Sequence, residues 1–283
     1  DAYNGQFLWE FKNEKAIRTG VFQNHAPGNL VATDDRVFMM LDSRCIELDA
    51  ATGVLTGTHA LPAGKDEKEH EWGYVAINDG LLIGTATRRK RLDAARARRG
   101  QQTTDATDAI FAIHLASGKH LWSYQGKSID FRTIALAPGR VHFIDSTITA
   151  EQRQVLLQQD KSELAKLKGE ARKRAEERQK RIDARTAMGL DSKTGKVLWK
   201  QAVDVTDTSD IGIGGGRLTM VYKDGVLLLG GANANGHYWR QFISGEFKKR
   251  RLVALSSTDG YKLWSKDANY RHRPIIVGNR IIA

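Results

Sequence analysis

Residues 190–200 read LDSKTGKVLWK, two short apolar runs joined by a polar Ser-Lys-Thr-Gly turn. Alone, this is an ordinary β-hairpin signal. Its copies decide the fold. AIHLASGKHLW stands at 112–122, ALSSTDGYKLW at 254–264, ELDAATGVLTG at 47–57, and a clipped YNGQFLW at 3–9. The turn glycines of the five copies are Gly5, Gly53, Gly118, Gly195 and Gly260. Four of them are followed four residues later by a tryptophan: Trp9, Trp122, Trp199 and Trp264; the second copy has Gly57 there.

Between copies sits a second hairpin that is apolar on both arms: NLVATDDRVFMM, YVAINDGLLIGTA, IALAPGRVHFI, LTMVYKDGVLLLGG and PIIVGNRIIA. Asp-Asp, Asn-Asp-Gly, Pro-Gly, Lys-Asp-Gly and Gly-Asn supply the chemistry that tight connections need. Two alternating hairpins give four strands per repeat. Successive turn glycines lie 48, 65, 77 and 65 residues apart. Three polar inserts, 87–108, 145–186 and 232–250, fall at one place in the unit, after the apolar hairpin. Without them the period is about forty, the length of a four-stranded propeller blade. A blade has two apolar faces and must stack on neighbours. The expected fold is therefore all-β, a β-propeller of four-stranded antiparallel blades. About four whole blades and two partial ones are expected, cut mid-blade at both ends, as a fragment of a larger ring with a long charged helical insertion.

The pattern Ala-x-Asp-x-x-Thr-Gly-x-x-x-Trp resembles the tryptophan-docking motif of pyrroloquinoline-quinone (PQQ) type propellers, over essentially the whole chain outside the inserts. The resemblance implies that Trp9, Trp122, Trp199 and Trp264 lie flat between blades, against the backbone near turn glycines such as Gly53, Gly118, Gly195 and Gly260. The copies depart from the pattern at His114 and Ser256 (for Asp), Gly189 (for Ala) and Gly57 (for Trp). Quinoprotein alcohol dehydrogenases of this fold carry a vicinal Cys-Cys pair, whereas this chain has one cysteine, Cys45, expected as a buried free thiol.

The net charge of +11 sits in the decorations. The inserts contribute +4, +3 and +3, leaving +1 for the body. RRKRLDAARARRG at 88–100 presents Arg88, Arg89, Lys90 and Arg91 to an anionic partner, or is a solvated charged loop. It interleaves no aromatic for base stacking, which argues against nucleic acid. No run approaches the roughly 20 apolar residues of a membrane span.

The longest insert is rich in helix formers and has no proline. Leu157, Leu164, Leu167, Ala171, Ala175 and Ile182 form a near-heptad stripe. The expectation is a helical arm over 150–186, either one helix of about 35 residues reaching about 50 Å or a hairpin broken at Gly169. It serves a protein partner or lies on its own disc. The third insert gathers Asn233, Asn235, His237, Tyr238, Trp239 and Arg240, which suit a polar or carbohydrate-like ligand or a packed loop. Connecting loops add Asp130, Arg132, Asp207, Asp210, Arg271, His272 and Arg273. The three arginines suit an anion or blade-edge salt bridges.

Three functions follow. One is a non-catalytic interaction scaffold, similar to the outer-membrane assembly propeller of this superfamily, or an accessory domain of a larger multidomain protein. Another is a PQQ-dependent dehydrogenase. By resemblance, its calcium would be held near Asp130, Asp210 and Asn233 while an Asp acts as base. The third is a ligand-sensing module. The resemblance also implies a periplasmic or otherwise extracytoplasmic location.

Overall fold

A computed structural model of the protein describes residues 4–12, 30–88, 107–145, 148, 164–180, 182–209, 217–232, 243–244, 250–270 and 272–282. The chain divides into two compact units, Asp1–Gly126 and Lys127–Ala283. Each is built of antiparallel strands joined in chain order.

In the first unit, β1 (Leu30–Ala32), β2 (Arg36–Leu41), β3 (Arg44–Asp49) and β4 (Leu55–Ala60) form one four-stranded blade. β5 (His70–Asn78), β6 (Leu81–Arg88), β7 (Thr107–His114) and the first part of β8 (His120–Ala137) follow in the same order. The Asn78-Asp79-Gly80 turn between β5 and β6 holds Asp79 at φ 50° and Gly80 at φ 74°. That left-handed pair matches the twist of a two-residue hairpin. The core gathers Phe38, Cys45, Trp72, Leu82, Phe111 and Ile113. Trp72 meets Phe111 edge-on at 4.8 Å. Cys45 is fully buried and free, and burial first, then the Glu47 charge, pushes its thiol up to about 12.

In the second unit, the later part of β8 continues into β9 (Arg140–Asp145), β10 (Ala184–Asp191) and β11 (Val197–Asp204). A further blade is β12 (Arg217–Lys223), β13 (Val226–Ala232), β14 (Arg251–Ser256) and β15 (Lys262–Asp267). A hairpin, β16 (Ile275–Val277) and β17 (Arg280–Ile282), closes the order. Its core runs through Ile144, Trp199, Val203, Met220, Leu229 and Leu255.

The recurrent Gly-Trp hairpin has a common build. Asp49 Oδ1 accepts from Ala51 N, Thr52 N and Thr52 Oγ1 at 3.1, 2.8 and 2.7 Å. Asp191 Oδ1 does the same for Lys193 N, Thr194 N and Thr194 Oγ1, at the same three distances. The Asp-x-x-Thr-Gly spacing thus satisfies the turn amides from one carboxylate. Next comes a repeated β-bulge. Register slips between Glu47 and Leu48, Gly189 and Leu190, and Ala254 and Leu255, opposite Thr56, Leu198 and Leu263. The bulged leucines point outward, Leu198 at 45% and Leu263 at 51% exposure.

The ring of Trp9 lies against Gly53, where an added Cβ would stand 2.5 Å from Cε3, and its Nε1 donates to Ala50 O at 2.9 Å. In the second unit Trp199 lies against Gly260 with the same 2.5 Å approach, and its Nε1 donates to Ser257 O at 3.0 Å. Ala50 and Ser257 hold equivalent places in their turns. Only glycine fits there: Gly260 has φ 78° and no space for a side chain. Trp122 is buried; Trp264 is 38% exposed.

The described part of the arm is not one long helix and has its break at Gly169, where the second of the two expected forms put it. The helix α1 spans Gly169–Lys180, twelve residues rather than about 35. Turn residues at 165–166 precede it, Gly169 has φ 58°, and residues 184–186 belong to β10. The positive φ interrupts any continuous helix at that glycine. Residues 146–147 and 149–163 of the arm, including Leu157, lie outside the described residues. At the insert borders, Arg88 closes β6, Asp108 sits in β7, Asp145 ends β9 and Ala232 ends β13.

Candidate functional site

The candidate ligand face was expected from Asp130, Arg132, Asp210, Asn233, Asn235, His237, Trp239, Arg271, His272 and Arg273. Asp210, Asn233, Asn235, His237, Trp239 and Arg271 lie outside the described residues, as do Arg89, Lys90 and Arg91 of the basic run. Among the described residues of the set, the structure brings one pair together.

That pair is Asp130 and Arg132, in a bulge of β8 where the register jumps from Asp130 to Ala135. Both side chains are 1% exposed, and Arg132 Nε donates to Asp130 Oδ1 at 3.1 Å. The Arg132 amide reaches the same oxygen at 3.2 Å. Thr133 Oγ1 donates to Asp130 O at 2.6 Å and accepts from Ile144 N at 2.8 Å, which pins the bulge to β9. Phe131 packs under the guanidinium, 5.4 Å from ring centre to Cζ. Arg273 donates to Met220 O at 3.0 Å and so ties the loop before β16 to β12. His272 is exposed.

These contacts bear on calcium. A Ca²⁺ ion is held by the charge of its carboxylates. The charge of Asp130 is already met by a guanidinium at hydrogen-bonding distance, in a site closed to solvent. Asp130 as folded does not fit a calcium ligand. Among the described residues no cluster of three or more His, Cys, Asp or Glu side chains is placed to hold a metal.

Three polar clusters carry no sequence signature. In the first unit Asp108, at the root of the basic insert, accepts from Lys65 Nζ at 2.8 Å, His70 Nε2 at 3.1 Å and Arg88 Nε at 3.2 Å. Gln125 joins by accepting from Lys65 at 2.8 Å and donating to Asp108 O at 2.7 Å. Burial pushes the Asp108 carboxyl up, but the bonds from Lys65, His70 and Arg88 outweigh it and hold it below the usual carboxylate range. Arg88, expected as part of an anion contact, is thus a half-exposed partner of Asp108.

In the second unit Arg178 fastens α1 to the body. It donates to Asp207 Oδ2 at 3.0 Å and Asp267 Oδ1 at 2.8 Å. Burial pulls its guanidinium down, and the two carboxylates more than reverse this, leaving it raised. Beside it Arg251 donates to Asp204 at 2.6 Å and to Ser265 Oγ at 3.2 Å, while Thr206 Oγ1 also donates to Asp204. Asp207 was noted in the sequence as a loop acid; its partner Arg178 lies 29 residues away and itself binds Asp267, 89 residues further along the chain, so spacing could not reveal the cluster.

The third cluster joins the two blades of the first unit, where the second copy has Gly57. Opposite Gly57 stands Glu47, which accepts from His59 Nε2 at 3.0 Å and Arg36 NH1 at 3.4 Å. Arg36 NH1 also donates to Leu115 O at 3.3 Å, and Leu115 holds the place of Ser257. The His59 ring is what faces Gly118, its Cε1 3.9 Å from where a Cβ would stand. The missing tryptophan is compensated rather than merely lost.

Repeats, turns and strand order define a chain of four-stranded antiparallel β-propeller repeats. The family model described as "Outer membrane protein assembly factor BamB" matches residues 183–283. Among solved structures it is similar to BamB from Moraxella catarrhalis (12% identity, 89% of this chain, 54% of that chain, TM-score 0.45). It is also similar to the quinohemoprotein alcohol dehydrogenase ADHIIG from Pseudomonas putida HK5 (12% identity, 89% and 37%, TM-score 0.44). The Pan2 WD40 domain of Neurospora crassa is similar at 7% identity (86% and 51%, TM-score 0.43). The chain spans 54% and 37% of the first two. No curated protein matches the sequence.

Proposed function

We propose that this chain is a non-catalytic PQQ-repeat β-propeller segment acting as an interaction scaffold, or as an accessory domain of a larger multidomain protein, in an extracytoplasmic compartment. The observation that carries this reading is how the charged loop groups are used. Asp130 is closed by Arg132, Asp207 and Asp267 by Arg178, Asp204 by Arg251, and Asp108 by Lys65, His70 and Arg88. Each of these described acids is engaged in holding loops to strands, where a quinone enzyme needs acids open to metal and substrate. The tryptophan contacts of Trp9 and Trp199 serve the same end: they dock one blade on the next.

Under this reading α1 is a strap. Its outward charges, Glu170, Arg172, Lys173, Glu176, Glu177 and Lys180, pair with one another along the exposed face and offer a mixed-charge surface to a protein partner. The match to an outer-membrane assembly factor family supports a scaffold that meets other proteins, and an extracytoplasmic location.

The test is a calorimetric titration of the full-length protein with PQQ, with and without Ca²⁺. No saturable heat is expected up to high micromolar quinone. Calcium-dependent binding at one quinone per chain overturns the scaffold reading in favour of a quinoprotein dehydrogenase.

A further inference from the structure

The outer edges of the blades are not guarded alike. An edge strand presents unpaired N–H and C=O groups, and natural proteins keep such edges from pairing with charged side chains, lysine above all. β11 carries Lys200 and Asp204; β15 carries Lys262, Lys266 and Asp267. β4, the last strand in the order of its sheet, reads Leu-Thr-Gly-Thr-His-Ala, with no charged residue. Its one titratable group, His59, is turned inward to Glu47. Val54 and Leu55, at the entry to the strand, are 60% and 54% exposed. Gly57 lacks the bulky ring that the other copies place at this position.

The surroundings of this edge carry a sign. In a chain of net +11, residues 30–69 hold eight acidic side chains against four basic ones. Asp49 flanks the start of β4, and Asp66, Glu67 and Glu69 follow its end. Ser43 Oγ donates to Glu67 at 3.3 Å and holds that carboxylate against the β2–β3 turn. One of the four bases, Lys65, is committed to Asp108 and Gln125. A neutral strand between acidic ends is complementary to a neutral strand between basic ends. It is not complementary to itself, because a second copy would bring the same acidic excess to the same edge.

We propose that the edge of β4, terminal in its sheet among the described residues, is a docking site for one extended segment of a partner protein, uncharged along its paired residues and flanked by lysine or arginine. Backbone hydrogen bonds of β-strand addition supply the affinity, Val54 and Leu55 add apolar contact, and the acidic flanks select the partner by charge. The proposal rests on the scaffold reading and names the partner chemistry for it.

The test uses the full chain and a fluorescent peptide of alternating threonine and valine with lysines at both ends, beside a twin with glutamates at both ends. Anisotropy should show saturable binding of the lysine peptide and at least about tenfold weaker binding of the twin. Thr58→Pro should abolish binding. Thr58→Lys, which leaves the strand free to form, should weaken it by about tenfold or more. Leu263→Lys on β15, at an exposed position, should change nothing. Equal binding of the twin, binding that survives both Thr58 variants, or no saturable binding of the lysine peptide overturns the proposal. So does light scattering that shows Thr58→Lys splitting a dimer, since the occupant is then a second copy. Any of these leaves the scaffold reading standing, because that reading is decided by the quinone titration.

Discussion

One cross-strand site is filled in opposite ways in the two units. In the second unit Gly189 faces Trp199, and the ring fills the space that a Cβ at Gly189 would take. In the first unit Glu47 faces Gly57, so the large side chain sits on the inner of the two strands. The small partner is kept; the large one has changed sides and changed chemistry. An aromatic ring with one N–H bond is replaced by a carboxylate that gathers Arg36 and His59. Blade junctions need a filled space and a donor to the next turn's carbonyl, and both Trp199 to Ser257 O and Arg36 to Leu115 O meet that need.

The largest expected effect breaks the aromatic version. Trp199→Ala removes a ring packed on Gly189, Gly260 and His142 together with its bond to Ser257, and should cost about 3 to 5 kcal/mol in denaturant unfolding of the second unit. A loss under about 1 kcal/mol would show that the ring does not hold the junction.

His142 sharpens the contrast next. His142 is fully buried, stacked on Trp199 at 5.5 Å and 25°. Burial, with the Arg140 charge adding, pushes its imidazole down to about 4. The folded state therefore binds fewer protons than the unfolded state, whose ordinary value is about 6.5. Stability is full above about pH 6.5 and falls as pH drops toward 4, by about 3 kcal/mol. His142→Phe should flatten this limb of the stability profile; an unchanged limb assigns it to another group.

The compensation itself can be measured. Glu47→Gly and Gly57→Trp should each destabilise the first unit, by about 1 to 3 kcal/mol. The double variant, which copies the Gly189–Trp199 pair, should recover at least about 1 kcal/mol of the sum. Additive losses would mean that the swap is not coupled.

The smallest effects concern the turns. Thr194 first, then the turn amides, hold the Asp191 carboxyl below its ordinary range. Asp191→Ala should cost about 1 kcal/mol. In the turn whose Asp is replaced by Ser256, the contact is a single weaker one, from Thr258 N at 3.3 Å. Ser256→Asp should gain about 0.5 kcal/mol in thermal unfolding.

The blades were legible because each is a local event. Each apolar hairpin, and each Asp-x-x-Thr-Gly turn with its tryptophan, is written within about a dozen consecutive residues. The arm was legible only in part. The break at Gly169 was one of its two expected forms, but the bonds by which Arg178 fixes α1 to the body reach acids distant in sequence. Gly57 looked like decay because its compensation, Glu47 with Arg36, lies on other strands.

The sequence by itself determined the repeating four-stranded plan, the place of the inserts and the turns that must be glycine. Spacing and φ-dependent sterics act over a few residues and leave their mark in the letters. Only the tertiary structure decided which charges meet: Asp130 with Arg132, Asp108 with Lys65 and His70, Arg178 with Asp207 and Asp267. Ion pairing depends on distance in space, and a blade stack brings together residues whose separation along the chain has no period.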